Sequence, residues 1–239
     1  VIGGTGCADS DDILITLVSD PSVDLGADFV HCGTGSYSLV ITDPYDVITW
    51  GDGTTGNTYT SNVGGTINVT VDIAGCTATD EIVVNQIIPV TPNAGADIIT
   101  CTNGSITLSA TADPSYTYQW STSDGMIING SNGLTPLIDE SGTYTLTAES
   151  PEGCLSTDDI LATLIPIPSI NIGSNIQICP GENFIVSVPN PGDYDIITWG
   201  DGSFGSSFSG TGPQTVTVAV ETNGCLNNDQ LEVSEYNAP

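Results

Sequence analysis

The sequence predicts an all-β protein built as a tandem array of Greek-key β-sandwich domains. Val, Ile, Thr and Tyr fill short runs in which apolar and polar residues alternate, and 28 Gly and 14 Pro separate these runs. A pattern of cysteine, tryptophan and aspartate also recurs at domain-sized intervals. About seven short strands in each interval, with one aromatic residue near the centre, are typical of a Greek-key sandwich.

The charge composition excludes several classes of partner. The 239 residues contain no Lys or Arg, 29 Asp plus Glu and 1 His, so the formal net charge is −29. Nucleic acid and anionic membrane surfaces need cationic side chains on their partner, and we expect neither to bind. Membrane insertion is not expected either, because no run of 18 apolar residues occurs. Apolar residues make up 38% of the chain, which favours a folded protein over a disordered one.

Gly-Cys pairs mark the repeat. Each of their cysteines is followed after four residues by an Asp and then by an apolar strand. A second class of cysteine precedes a glycine turn and an alternating strand. The Gly-Cys class is Cys7, Cys76, Cys154 and Cys225, and the second class is Cys32, Cys101 and Cys179. The predicted organisation is the last strand of a truncated repeat at 1–20, followed by repeat 1 at 21–89, repeat 2 at 90–166 and repeat 3 at 167–239. We expect the chain to be a segment of a longer array.

Each of the three whole repeats contains two cysteines, which can pair to form one disulfide within the repeat. Small domains usually need such a staple, and disulfides indicate an oxidising, extracellular setting. The pairing requires a short first strand, because a long one would place the two cysteines at opposite ends of the sandwich, beyond the ~7 Å limit between Cα atoms. The alternative is that bridges join neighbouring domains, for example Cys32 with Cys154. The expected pairs are Cys32 with Cys76, Cys101 with Cys154 and Cys179 with Cys225, and Cys7 would have a partner upstream.

An [Asp/Asn]-x-Gly-x-[Asp/Asn] pattern opens each repeat beside a Pro-marked linker and is a candidate calcium site. Acidic residues of the apolar strand that follows each Gly-Cys pair, the exit strand of its repeat, could contribute further oxygen ligands. The candidate ligands are Asp24, Asp28, Asp80, Glu81, Asn93, Asp97, Asp158 and Asp159. Calcium there would neutralise charge and stiffen the array. The alternative is that these are solvated strand-end carboxylates that discourage edge-to-edge aggregation. Zinc is not expected, since no Cys-x2-Cys occurs.

The stretches "ITWGDGT" at 48–54 and "ITWGDGS" at 197–203 also invite a metal interpretation. Each such loop offers one carboxylate, so a tight Asp-Gly turn is favoured over calcium. The tryptophan before each loop recurs at one place in a strand, which favours a core anchor over a sugar-stacking platform. The loop carboxylates are Asp52, Asp124 and Asp201, and the tryptophans are Trp50, Trp120 and Trp199.

Catalysis is not expected. One histidine and no Lys or Arg remove most general bases and anion clamps, and His31 occurs in one repeat alone. N-glycosylation sequons occur at Asn68, Asn103 and Asn129.

Laid out as "NAGADIITC", "YTYQWSTSDG", "SGTYTLTAES" and "GCLSTDDILATL", the repeat resembles the immunoglobulin-like and PKD-like repeats of giant surface proteins of Bacteroidota. In the PKD family the tryptophan strand typically ends in Gly-Asp-Gly, which is matched at 51–53 and 200–202. Repeat 2 departs from this pattern with Ser123-Asp124-Gly125. The resemblance implies an immunoglobulin-like (PKD-like) sandwich, export through the type IX secretion route, display on the cell surface, and use as adhesins, stalks or extracellular fibres.

We therefore predict a non-catalytic structural or adhesive segment of a long, secreted cell-surface repeat protein. Its expected partners are further repeats of the same chain, with surface glycans or neighbouring copies in a fibre as additional partners. One alternative is a repeat unit of an extracellular filament assembled by lateral or strand-exchange packing. Another is a spacer or carbohydrate-binding module of a secreted hydrolase.

Overall fold

A computed structural model describes residues 6, 11–15, 17, 19–111 and 113–236. Their regular structure is all-β, apart from one turn of 3-10 helix at Pro191–Asp193. No helix in this part of the chain is long and apolar enough to cross a membrane. Cys7 lies outside the described residues. The chain divides into two units, Val1–Pro89 with Ser150–Leu155, and Val90–Glu149 with Ser156–Pro239.

Repeat 1 folds into a four-stranded sheet and a two-stranded sheet. The strand order is β1-β6-β5-β3 in the larger sheet, and β2 pairs with β4 in the smaller one. In β5, alternate residues are buried, as the apolar pattern of "TINVTV" dictates for a strand with one face on a core. The strands are β1 (Phe29–Cys32), β2 (Tyr37–Val40), β3 (Val47–Trp50), β4 (Thr58–Ser61), β5 (Gly65–Ile73) and β6 (Cys76–Ile87).

Repeats 2 and 3 have the same larger sheet, in the orders β7-β13-β12-β9 and β14-β19-β18-β16. Their smaller sheets are β10-β11-β8 and β15-β17. In repeat 2 the strands are β7 (Ile98–Cys101), β8 (Ile106–Thr107), β9 (Thr117–Thr122), β10 (Ile127–Asn129), β11 (Leu137–Ile138), β12 (Gly142–Glu149) and β13 (Leu155–Ile165). In repeat 3 they are β14 (Ile176–Ile178), β15 (Asn183–Ser187), β16 (Ile196–Trp199), β17 (Ser207–Thr211), β18 (Gln214–Thr222) and β19 (Cys225–Glu235).

Within the described residues, three buried clusters form the cores, one for each whole repeat, and each contains a tryptophan. The cluster of repeat 1 joins the larger sheet, through Trp50 and Val69, to Leu39 and Tyr59 of the smaller sheet. The fold is thus an immunoglobulin-like β-sandwich array. The boundaries at residues 20, 89 and 166 remain predictions.

The first strand of each repeat runs parallel to the end of the last strand. Cys32 is opposite Ile87, Cys101 is opposite Ile165, and Ile178 is opposite Glu235. The last strand begins at the Gly-Cys hairpin, which in repeat 1 is a two-residue turn with positive φ at Ala74 (51°) and Gly75 (86°). The two cysteine classes therefore occupy opposite ends of the same sandwich.

Candidate functional site at the repeat junctions

Disulfides connect consecutive repeats. Cys32 of repeat 1 is bonded to Cys154 of repeat 2, and Cys101 of repeat 2 is bonded to Cys225 of repeat 3. The Cα atoms of the two pairs are 5.5 Å and 5.7 Å apart, within the usual range for a disulfide. Each bond therefore joins the first strand of one repeat to the Gly-Cys hairpin of the next.

The expected pairing within repeats is wrong for Cys32–Cys76, Cys101–Cys154 and Cys179–Cys225. The first strand is short, as that pairing requires, but it lies beside the far end of the last strand. Cys76 precedes Ile87, the neighbour of Cys32, by 11 residues (87 − 76) along β6. At roughly 3.3 Å per residue, this separation is about 36 Å, which no disulfide can span. The alternative pairing across domains is the one that the structure contains.

Among the described residues, Cys76 and Cys179 are the two cysteines without a disulfide, and they belong to different classes. Cys179 is exposed and Cys76 is half-buried, whereas the bonded Gly-Cys residues Cys154 and Cys225 are both 0% exposed. A Gly-Cys side chain is thus fully buried in both cases in which its bonding partner is present.

The linker between repeats 2 and 3 is held by side chains on both sides of it. The amide of Asn103 accepts a hydrogen bond from the Ile167 N–H (2.8 Å) and donates one to the Ile167 carbonyl (3.1 Å). Asn227 Nδ2 donates to the carbonyl of Pro168 at 2.8 Å, and the hydroxyl of Tyr194 donates to the next carbonyl, that of Ser169, at 2.6 Å. These bonds fix the backbone of a segment that would otherwise be a solvated loop. Sequence reasoning identified Asn103 as a sequon and missed this role.

The [Asp/Asn]-x-Gly-x-[Asp/Asn] pattern fixes the entrance of repeat 1 through backbone hydrogen bonds. The first position, Asp24, accepts from the Gly26 N–H at 2.7 Å, and Gly26 has a φ of 89°, which glycine adopts without strain. The last position, Asp28, accepts from the Val83 N–H on β6 at 2.8 Å. Asp80, four residues after Cys76, accepts from the Leu25 N–H at 2.6 Å.

The same three bonds recur in repeats 2 and 3. The first position, Asn93 or Asn171, accepts from the glycine N–H two residues later at 2.9 Å in both repeats. The last position, Asp97 or Asn175, accepts from an N–H of the exit strand at 2.9 Å in both repeats. The exit-strand aspartate accepts a hydrogen bond from the backbone N–H of the residue after the first position. Asp158 accepts from the Ala94 N–H at 2.8 Å, and Asp229 accepts from the Ile172 N–H at 2.7 Å. The spacing that marked the repeat in the sequence thus belongs to a hydrogen-bonded clasp.

The acidic residues proposed as calcium ligands do not come together as one cluster. In the described part of the chain, no group of three or more His, Cys, Asp or Glu side chains is placed to hold a metal ion. Glu81 and Asp159 are exposed, on the opposite face of the exit strand from Asp80 and Asp158. Calcium binding remains a prediction, and any site would have to use the oxygens that the clasp leaves free.

The Asp-Gly loops are tight turns closed by the aspartate. The hydroxyl and the N–H of Thr54 donate to Asp52 at 2.7 Å and 2.9 Å, and these two bonds hold the pKa of Asp52 below its usual value. The hydroxyl and the N–H of Ser203 likewise lower the pKa of Asp201. In repeat 2, Asp124 instead accepts from the Thr143 N–H on β12 at 2.9 Å. The loop of repeat 2 differs in sequence and in hydrogen bonding.

The three tryptophans lie inside the sandwiches. Trp50, Trp120 and Trp199 are 1%, 2% and 2% exposed. Each indole N–H donates to a glycine carbonyl at 2.9–3.0 Å. The acceptors Gly56 and Gly205 lie in the loop that follows the tryptophan strand, whereas Gly133 of repeat 2 lies in the loop after β10. Their rings are therefore not available for stacking against a sugar. His31 Nε2 is 2.8 Å from the carbonyl oxygen of Gly35, and its ring lies against Tyr37.

Comparison with known proteins gives structural likeness at low identity. No family model matches the sequence. No curated protein matches it either. Extracellular domains 3–5 of Drosophila OTK are similar in structure with 11% identity and a TM-score of 0.39, over 88% of this chain and 95% of that one. Titin domains I67–I69, in an E-to-A mutated variant, are similar with 11% identity and a TM-score of 0.41, over 90% and 98% of the two chains. The N-terminal four Ig domains of Dscam1 isoform 8.4 are similar with 14% identity and a TM-score of 0.28, over 88% and 71%.

Proposed function

We propose that this chain is a non-catalytic structural segment of a secreted cell-surface repeat protein, a stalk or adhesin whose disulfides limit how far consecutive repeats can be pulled apart. The observation that carries the proposal is the pairing of Cys32 with Cys154 and of Cys101 with Cys225. A disulfide within a domain stabilises that domain alone. A disulfide between consecutive repeats also holds them together when one of them unfolds.

The extracellular setting is supported by the disulfides, which persist in oxidising compartments. The resemblance to repeats of giant surface proteins of Bacteroidota supports a bacterial cell surface as that setting. The uniform negative charge suits a surface array, since 29 acidic residues and no basic ones keep neighbouring copies apart in solution. Adhesion to a ligand would then depend on other parts of the molecule, which this segment carries away from the surface.

The two disulfides of the described residues overlap in sequence, and this overlap determines how far the oxidised chain can extend. When the oxidised chain is fully unfolded and stretched, the shortest covalent path runs from residue 1 to 32, across the first bond to 154, back along the chain to 101, across the second bond to 225, and on to 239. These segments comprise 31, 53 and 14 residue steps, about 98 in all, whereas the reduced chain has 238 (239 − 1). At roughly 3.5 Å per residue, the limits are about 340 Å and about 830 Å.

Single-molecule pulling of the whole chain from its two termini tests the proposal. We expect the oxidised chain to stop extending near the shorter limit, and a reductant to release about 490 Å more, from roughly 3.5 Å for each of about 140 freed residues. Pairing within repeats would give a similar oxidised limit, so Cys76→Ser is the matched control. That variant leaves the oxidised limit unchanged if the bonds join repeats, and lengthens it if Cys76 is bonded to Cys32. An oxidised chain that extends to the reduced limit would contradict the proposal.

The full reading frame separates this function from a spacer in a secreted hydrolase. Many more repeats of the same kind would support a stalk or adhesin. A catalytic domain beside a few repeats would support the spacer.

A further inference from the structure

Two cysteines remain outside the disulfides of the described residues, and they are the ones that the pattern of bonds leaves over. Both bonds follow one rule, in which the first-strand cysteine of a repeat is joined to the Gly-Cys cysteine of the next repeat. Under this rule Cys179 of repeat 3 requires a Gly-Cys residue from a following repeat. Cys76 of repeat 1 requires a first-strand cysteine from a preceding repeat.

The position of Cys179 matches those of its two bonded counterparts. Cys32, Cys101 and Cys179 each stand eight residues after the first Asp or Asn of the entrance pattern (32 − 24, 101 − 93 and 179 − 171). Cys32 and Cys101 are the last residues of their short first strands, and Cys179 directly follows Ile178, the last residue of β14; all three lie near the end of the last strand of their repeat. Cys179 is also held in an ordered turn, where its N–H donates to Glu182 at 3.1 Å and its carbonyl accepts from the Glu182 N–H at 3.0 Å. The thiol is exposed in a fixed place.

The burial of the Gly-Cys class is a second, independent observation. Cys154 and Cys225 are 0% exposed with their partners in place, whereas Cys76 is half-buried. The hairpin that carries Cys76 is the same two-residue turn as the one that carries Cys225, with positive φ at Asn223 (51°) and Gly224 (80°). On the same type of hairpin, the cysteine with a bonded partner is therefore fully buried and the cysteine without one is half-buried.

The spacing from a Gly-Cys cysteine to the entrance pattern of the next repeat is constant, so a further repeat could follow the same pairing rule. From a Gly-Cys cysteine to the next entrance Asp or Asn there are 17 residues in all three cases (24 − 7, 93 − 76 and 171 − 154). Pro239 follows Cys225 by 14 residues (239 − 225), as Pro168 follows Cys154 (168 − 154) and Pro21 follows Cys7 (21 − 7). A repeat joined after Pro239 would therefore begin in the same register as repeat 3 begins after repeat 2.

We propose that Cys179 is a disulfide site for the Gly-Cys hairpin of a following repeat of this type, and that Cys76 is the complementary site for the first-strand cysteine of a preceding repeat. The bonds would extend the two described ones into a continuous ladder along the array. In forming each bond, two thiols lose two protons and two electrons, and a disulfide oxidant such as oxidised glutathione accepts them and leaves as two thiols. The inference rests on the proposed function, because it assumes an array of further repeats.

The test extends the chain by one repeat. A copy of residues 169–236 is joined directly after Pro239, so that Pro239 takes the place of Pro168, and the protein is folded with reduced and oxidised glutathione. Free thiols are then alkylated, and the disulfides are identified by mass spectrometry of peptides without reduction. We expect Cys179 to be bonded, within the monomer, to the cysteine of the added copy that corresponds to Cys225, while the Cys32–Cys154 and Cys101–Cys225 bonds are retained.

The matched control carries Cys225→Ser in the added copy alone, and in it Cys179 is expected to be alkylated. The unextended chain distinguishes the source of the partner, since a bond between Cys179 of one molecule and Cys76 of another would show that a second copy supplies the hairpin. The proposal is overturned if Cys179 stays alkylated in the extended monomer and in oxidised oligomers, while the other two bonds form. That result would leave the mechanical role of the two described bonds intact, because the pulling experiment measures those bonds separately.

Discussion

The Cα atoms of Cys101 and Cys225 lie 5.7 Å apart although 124 residues separate them in the chain. The bond places the Gly-Cys hairpin of repeat 3 beside the end of the first strand of repeat 2. The disulfide therefore lies next to the linker, where Asn103 and Asn227 form hydrogen bonds with the backbone. A covalent bond and a set of hydrogen bonds thus restrain the same junction.

Removal of this disulfide is expected to destabilise the chain strongly. Closing a loop of more than 100 residues stabilises a protein by about 4–5 kcal/mol in the chain-entropy model. Cys101→Ser and Cys225→Ser should therefore lower the melting midpoint by the same amount, and the double variant should lower it no further. Differential scanning calorimetry checks this, with Cys179→Ser as the control that leaves the midpoint unchanged. If Cys179→Ser lowered the midpoint as much as Cys225→Ser does, the bond would join Cys179 to Cys225 instead.

The clasp at the entrance of repeat 2 gives a second prediction. The N–H of Ala94, a residue that is 0% exposed, donates to Asp158, and Asp158→Ala would leave it without an acceptor. An unsatisfied buried donor costs about 1–3 kcal/mol. We expect Asp158→Ala to lower the free energy of unfolding, measured in urea, by this amount and to speed hydrogen exchange at the Ala94 N–H. The neighbouring Asp159→Ala removes the same charge from an exposed position and should change stability by less than about 0.5 kcal/mol. Equal effects of the two variants would contradict a clasp.

Much of the fold was predictable, because the signals for it are local. The alternation in "TINVTV", the tryptophan position and the Gly-Cys hairpin each depend on neighbouring residues, and they predicted the sandwich array. The cysteine pairing depends on how the first strand lies against the last one. A four-residue strand satisfies the length condition for a bond within the repeat, but its parallel pairing with residues 84–87 moves Cys32 to the wrong end. Sequence alone does not reveal that register.

The candidate site was predictable in position but not in chemistry. The entrance pattern and the aspartate four residues after each Gly-Cys cysteine were both recognised as carboxylates near the linkers. A carboxylate that binds calcium and one that accepts a backbone N–H have the same sequence signature, a polar residue beside a glycine turn. The recurrence of Asn at positions 93, 171 and 175 was the available signal for hydrogen bonding, because Asn retains the acceptor oxygen without the charge.

The Asp-Gly loops predict a dependence of stability on pH. The pKa of Asp52 is lowered in the folded chain from its ordinary value of 3.8, first by the Thr54 hydroxyl and then by the Thr54 N–H. A carboxyl with a depressed folded pKa stabilises the fold fully above its unfolded pKa, and this contribution is lost as the pH falls through the folded pKa. Asp52→Asn should therefore be less stable than the natural chain at pH 6, and the difference should vanish at a pH well below 3.8.

Thr54→Val is the control for this effect, because it removes the hydroxyl that contributes most to the shift. In the Thr54→Val chain, Asp52→Asn should change the pH dependence of the melting midpoint by less than it does in the natural chain. A difference between Asp52→Asn and the natural chain that persists unchanged into acid would mean that the charge of Asp52 contributes nothing to stability.

Calcium is expected to raise the melting midpoint of the chain. The formal charge of −29 has no basic side chain to offset it, and Asp24 and Asp80 each use one carboxylate oxygen for a backbone N–H of the same clasp. Their other oxygens are available to a cation, with an affinity in the range of about 0.1–1 mM that is typical of extracellular modules. At a free calcium concentration ten times the dissociation constant, one such site stabilises the folded state by about 1.4 kcal/mol.

The test compares the melting midpoint in calcium with the midpoint in a chelator at matched ionic strength, and equal midpoints would contradict calcium binding. Asp24→Asn is the matched variant, since it keeps the hydrogen bond that Asn93 and Asn171 make in the other repeats and should reduce the calcium increment.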